Sequence, residues 1–254
     1  MITEHLIAKG VGANKGFRWR GGEITRFEGF SDAVFAFAVT LLIVSLEVPK
    51  TFNELMGTMR GFGAFAICFA LLMVIWHSQY TFFRRYNLQD TYTLILNAML
   101  IFVVLFYVYP LKFLFTLLVS QFVGGGAEHA AEPMIERGQL GSLMMVFDLG
   151  YLAVFAIFAL LYYHAYRLRS AMDLNELEML DTRESIISAL INIGVAVISL
   201  SILFIAGENH AGLAGMIYPI LMAPATTIHH AITGRKRRKL MERKETVEQV
   251  KASA

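Results

Sequence analysis

Residues 26–47, RFEGFSDAVFAFAVTLLIVSLE, decide the fold. The stretch opens on Arg26, Glu28 and Asp32, then runs apolar, with Thr40 and Ser45 as its hydroxyls, until Glu47. A membrane span takes about 20 mostly apolar residues. In hydrocarbon the backbone must satisfy its own hydrogen bonds, so a run of this length reads as a helix. It is too long for the apolar part of a signal peptide. It ends in Glu47-Val48-Pro49 where a cleavage site would need small residues, so it is expected to be retained.

Five further runs have the same character, at about 60–83, 91–112, 143–166, 185–206 and 212–232. The third continues past Pro110 as LKFLFTLLVSQFV, which admits a kinked long helix or a short second element. Pro219 and Pro224 lie in the sixth and predict kinks there. The whole chain of 254 residues is 56% hydrophobic and 17% charged, against about 25% charged in soluble domains. Lipid is therefore the expected solvent. The net charge of +2 offers nothing to nucleic acid, and the single cysteine, Cys68, excludes an internal disulfide or a multi-cysteine metal site. No cofactor, metal or lipid anchor is expected.

The basic residues set the orientation. Lys9, Lys15, Arg18 and Arg20 precede the first span. Arg84 and Arg85 follow the second, and Arg167, Arg169 and Arg183 separate the fourth from the fifth. Arg235 to Lys239 follow the sixth. The alternate loops hold few basic residues and carry Glu47, Glu54, Glu128, Glu132, Glu136 and Glu208. By the positive-inside rule, both termini are cytoplasmic. The expected fold class is an all-α polytopic membrane protein with six transmembrane helices. Its expected divisions are a cytoplasmic segment at 1–25, a membrane domain at 26–232 and a basic cytoplasmic tail at 233–254.

Polar groups inside spans are costly and mark function or helix contacts. Asp32 lies about six residues, or about 9 Å, into the first span. Trp76, His77, Asn97 and Asn192 sit at matching depth on other spans, which predicts an interhelical hydrogen-bonding layer. His77 has no second histidine at helical spacing, so a metal site with Asp32 is not expected. Phe37, Leu41 and Val44 share one helical face, about 140° from Asp32. The spacing fits an ordinary lipid-facing or core stripe. Around a symmetry axis, the same face would form apolar rings able to gate ions by dewetting.

The run Arg26-Phe27-Glu28-Gly29-Phe30-Ser31-Asp32, an RxxxFSD pattern followed by AVFAFAVTLL, resembles the first helix of the transmembrane protein 175 family. That family comprises endosomal and lysosomal potassium channels of animals and single-repeat bacterial homologues. Trp76, Arg84, Asp90, Asn97 and Pro110 extend the likeness more loosely. The resemblance implies a homotetramer whose first helix lines a central pore without a carbonyl filter. It implies constriction rings at Phe37, Leu41 and Val44, and potassium preference at Thr40. It also implies a helix-packing network of Arg26, Phe30, Ser31 and Asp32 with Trp76, His77 and Asn97. Two departures stand out: Phe37 replaces the usual aliphatic residue, and Gln79-Tyr80 stand where relatives often carry paired histidines.

The expected function is passive, potassium-preferring cation conduction across a prokaryotic plasma membrane, with potassium ions and the lipid bilayer as partners. The alternative is a proton-coupled secondary transporter or proton path, with Asp32, His77, Asp148 and His164 as a relay. No P-loop, HExxH or nucleophile elbow is present, so no enzyme is expected.

Overall fold

A computed structural model describes residues 17–44, 50–123, 135, 138–207 and 211–252. The regular elements among them are all helical: α1 (Arg26–Val44), α2 (Phe52–Arg60), α3 (Phe62–Tyr86), α4 (Thr91–Val123), α5 (Gln139–Arg167), α6 (Glu176–Ala206) and α7 (Ala211–Ile217). A π-helical turn (Tyr218–Met222) leads into α8 (Ala223–Ala252).

Four segments are long and apolar enough to cross a membrane: Phe62–Tyr86, Thr91–Ser120, Gln139–Arg167 and Glu176–Ile205. They correspond to the second to fifth runs read from the sequence. The first and sixth runs are helical but differ. α1 has 19 residues and carries Arg26, Glu28 and Asp32 in its first two turns. The sixth run is divided into α7, the π turn around Pro219 and the start of α8. α2 is a short helix that no apolar run announced. Thr51 caps it, accepting a bond from the Glu54 N–H at 3.2 Å.

Pro110 neither breaks α4 nor starts a second element. The helix continues for 33 residues, as happens in a membrane bundle when neighbouring helices absorb the lost backbone bond. α4 is central: α1 and α3 pack on one side and α5 on the other, while α6 packs along α5. Leu100, Val104, Val108 and Leu111 of α4 join Phe35 and Leu42 of α1, Leu72 of α3 and Leu161 of α5 in one core. Gly150 lets α5 approach closely, because a Cβ there would overlap the Tyr107 ring.

The basic end is tied together by the chain preceding α1. The N–H groups of Arg20 and Gly21 donate to the Arg84 carbonyl at 3.0 and 3.2 Å. The tail is helical, and the expected boundary at 232/233 falls inside α8. Arg237 on α8 reaches back to Asp181 on α6 at 3.4 Å.

Candidate functional site

The first helix has two unlike faces. Glu28, Ser31, Phe35, Ala38 and Leu42 recur at three- and four-residue steps and are buried against α3 and α4. Arg26, Phe30, Ala33, Phe37 and Thr40 form the opposite stripe, which is exposed among the described residues. Phe30 and Phe37 are each 57% exposed, a large apolar exposure for side chains on one helix. Leu41 lies at the border, half-buried against the core. Val44 ends the helix, and its side chain lies outside the described residues. The Thr40 hydroxyl donates to the Phe37 carbonyl at 2.7 Å, so its oxygen keeps its lone pairs as outward acceptors.

The buried face is held by hydrogen bonds. The Asp32 carboxylate accepts from the Trp76 indole N–H at 2.8 Å. Ser31 donates to the Phe27 carbonyl at 3.0 Å and accepts from the Asn97 amide at 2.8 Å. Asn97 accepts from the Gln79 amide at 2.8 Å. Ser31, Asn97 and Gln79 are fully or nearly buried, so a chain of satisfied polar groups joins α1 to α4 and α4 to α3. Such chains rigidify when every member is paired.

Of the residues expected in the layer or the packing network, Asp32 meets Trp76 and Ser31 meets Asn97. Arg26 and Phe30 lie instead on the exposed stripe. His77 is exposed, with its ring 6.4 Å from that of Tyr80. Asn192 belongs elsewhere: it accepts from Tyr151 and donates to the Ser188 carbonyl at 2.7 Å. Sequence reasoning noticed Gln79 only as a departure and missed its bond. The available signal was its position one helical turn from Trp76.

Other anchors were not foreseen. Glu28 pairs with Arg84 at 3.9 Å, and Arg84 donates to the Gly21 carbonyl at 3.1 Å. The Lys112 ammonium donates to the Leu42 carbonyl in the last turn of α1 at 2.7 Å, satisfying one of the acceptors a helix end leaves unpaired. Glu178 is completely buried and accepts from Arg20, from the Arg18 N–H and from the Asn175 N–H, each at 2.9 Å. The Asn175–Glu178 capping box was readable from its spacing. Its arginine partners, far away in the chain, were not.

The residues of the alternative proton relay have separate partners. Asp32 binds Trp76. Asp148 is buried and accepts from Ser199 at 2.7 Å and Tyr218 at 2.6 Å. His164 contacts Asp90 at 3.0 Å. Burial pushes the Asp90 carboxyl up, but hydrogen bonds from Thr93 and the His164 contact outweigh it, and the group lies below its ordinary range. Among the described residues no cluster of His, Cys, Asp or Glu is arranged to hold a metal.

An all-helical bundle with several apolar spans, whose first helix is bonded on one face and bare on the other, defines a polytopic membrane protein. The family description "endosomal/lysosomal potassium channel TMEM175" matches residues 26–107, which contain the whole Ser31–Asn97–Gln79 chain. A protein of Marivirga tractuosa described as a potassium channel is 42% identical over 240 residues, covering 91% of this chain and 96% of that protein. The crystal structure of a variant of the potassium channel MtTMEM175, bound to a nanobody–MBP fusion, superposes with a TM-score of 0.78 at 40% identity. That match covers 88% of this chain and 99% of the other. A TMEM175 homologue from Chamaesiphon minutus shares the fold at 22% identity and a TM-score of 0.50, over 79% of this chain and 96% of the other. The chain belongs to the TMEM175 family.

Proposed function

We propose that four copies of this chain form a potassium-preferring cation channel that conducts passively, with α1 of each copy facing a common axis. The observation that carries the proposal is the bare stripe of α1: Phe37 and Thr40 are exposed among the described residues while the reverse face is bonded to two helices. Fourfold symmetry turns that stripe into rings. Phe37, Leu41 and Val44 are the apolar constrictions, and Thr40 adds the oxygen that favours potassium. The family's description and the names of the relatives support the choice of ion.

In this reading α1 and the segment from α7 into α8 also cross the membrane, giving six spans. Both termini lie in the cytoplasm, the side to which the arginine-rich loops are assigned, and the membrane is a prokaryotic plasma membrane. The segment 1–25 and the tail 233–254 are the cytoplasmic parts. The separate partners of Asp32, Asp148 and His164 speak against a proton relay.

The test is electrical. Purified protein in a planar bilayer, with potassium on one side and sodium on the other at equal pH, is expected to give a current whose reversal potential favours potassium. Phe37→Ala is expected to raise basal flux several-fold by widening the constriction. An unchanged flux removes Phe37 from the gate, and flux that requires a pH gradient replaces the channel with a coupled transporter.

A further inference from the structure

A cavity of about 280 Å³ opens between α3, α5 and α6. It lies at the basic end of the bundle, near the last turns of α3 and the first turns of α6. Its α3 wall is the stripe His77, Thr81 and Arg85, spaced four residues apart and therefore stacked on one helical face. Its α6 wall presents Glu184 and Ser188. Phe155 and Phe158 of α5 supply an apolar side.

Arg85 makes this more than a crevice. The residue is only 7% exposed, lines the cavity, and its buried Nε has no hydrogen-bond partner. The guanidinium stacks on the Phe17 ring, 5.0 Å from its centroid, which holds its plane but satisfies no N–H. Asp181 is within electrostatic reach and ion-pairs with Arg237 at 3.4 Å, but neither of its buried oxygens takes a hydrogen bond, so it offsets the Arg85 charge without satisfying its N–H donors. A guanidinium stays charged and is built to present parallel donors to an oxyanion. Ser78 and Ser185 also line the space. The Ser78 hydroxyl donates to the Val74 carbonyl at 2.8 Å and keeps lone pairs for a ligand N–H, while the Ser185 hydroxyl is engaged by the Asp181 carbonyl at 3.0 Å and by Tyr162.

We propose that this cavity seats the headgroup of an aminophospholipid. Arg85 and the Thr81 and Ser188 hydroxyls take the phosphate. Glu184 faces the ammonium, and the acyl chains leave past the half-buried Phe155, with the buried Phe158 as the cavity wall behind it. The depth agrees with the ligand, because Arg85 is next to the last residue of α3, where a span meets the headgroups. The inference rests on the orientation proposed above but not on conduction. It also gives His77, which stays outside the α1 network, a place at the inner edge of a lipid site.

The test is thermal stability of the detergent-purified full chain with three added probes: phosphatidylethanolamine, diacylglycerol with the same acyl chains, and inorganic phosphate. Phosphatidylethanolamine is expected to raise the melting temperature by several degrees, and the other two are not. Arg85→Gln and Ser188→Leu, the second filling the cavity without touching the guanidinium, are each expected to reduce that shift at least twofold. If Arg85→Gln does not assemble, Ser188→Leu decides. Equal stabilisation by diacylglycerol or by phosphate, or a full lipid shift in the variants, overturns the proposal. Bilayer current on the same preparations separates the two readings: lipid binding without current refutes the channel alone, and current without lipid binding refutes the lipid site alone.

Discussion

The Ser31–Asn97–Gln79 chain and the Asp148–Ser199–Tyr218 cluster use the same chemistry, buried polar side chains bonded across helices at 2.6–2.8 Å. Their settings differ. The first fastens α1, whose other face is bare. The second fastens α5 to α6 and the π turn, and Tyr107 closes beside it by donating to the Phe147 carbonyl at 2.8 Å. A network beneath an open face fixes where that face points. A network closed on every side fixes only that the bundle stays together. The family match at 26–107 includes the first network and ends before Asp148, in keeping with this division.

Matched substitutions can break the comparison. Asn97→Leu keeps the branched shape but removes the amide, so Ser31 and Gln79 lose their bonds to α4 and the hydrogen-bonded link between α1 and α4 is gone. Potassium flux per inserted protein is expected to fall about tenfold or more, measured in liposomes at equal protein incorporation. Asp148→Leu orphans the Tyr218 hydroxyl and leaves Ser199 only its bond to the Ala214 carbonyl at 3.2 Å, at about 1–3 kcal/mol per orphaned buried group, and less where membrane helices find other partners. Its expected signature is a melting temperature several degrees lower with flux per folded channel unchanged. If both variants lose flux alike, the two clusters do one job and the distinction fails.

What could be read in advance follows the range of the interactions. The spans were legible because hydrophobic length is a local property: four runs became α3 to α6, although α4 continues from the expected 112 to Val123 and α6 starts at Glu176 rather than 185. The sixth was legible as an apolar run with kinks expected at Pro219 and Pro224; Pro219 lies in the π turn at Tyr218–Met222, whose Tyr218 meets Asp148, a contact that spacing does not reveal. Of the residues grouped by depth, Asp32 and Trp76 bond each other, while Asn97 bonds Ser31 and Gln79. Depth does not encode rotation about the helix axis, so His77 and Asn192 were grouped with residues they do not meet. The Arg18 and Arg20 bonds to Glu178 span about 160 residues of chain and left no pattern to find.

The smallest expected effect tests whether α1 is held equally at both ends. Its N-terminal half has the Asp32–Trp76 bond, the Ser31–Asn97 bond and the Glu28–Arg84 ion pair. Its other end has the Lys112 bond to the Leu42 carbonyl, reached from two residues beyond Pro110. A cation at a helix C-terminus contributes about 0.3–1 kcal/mol, and up to about 2 kcal/mol when partly buried. Lys112→Met keeps the aliphatic stem and removes the ammonium, so flux is expected to change by less than about twofold and the melting temperature by a degree or two. Lys112→Arg should restore both, because a guanidinium can still reach a carbonyl. A loss as large as that of Asn97→Leu would mean that α1 is clamped at two points of equal weight. The bare face would then be aimed by the whole helix rather than by its charged end.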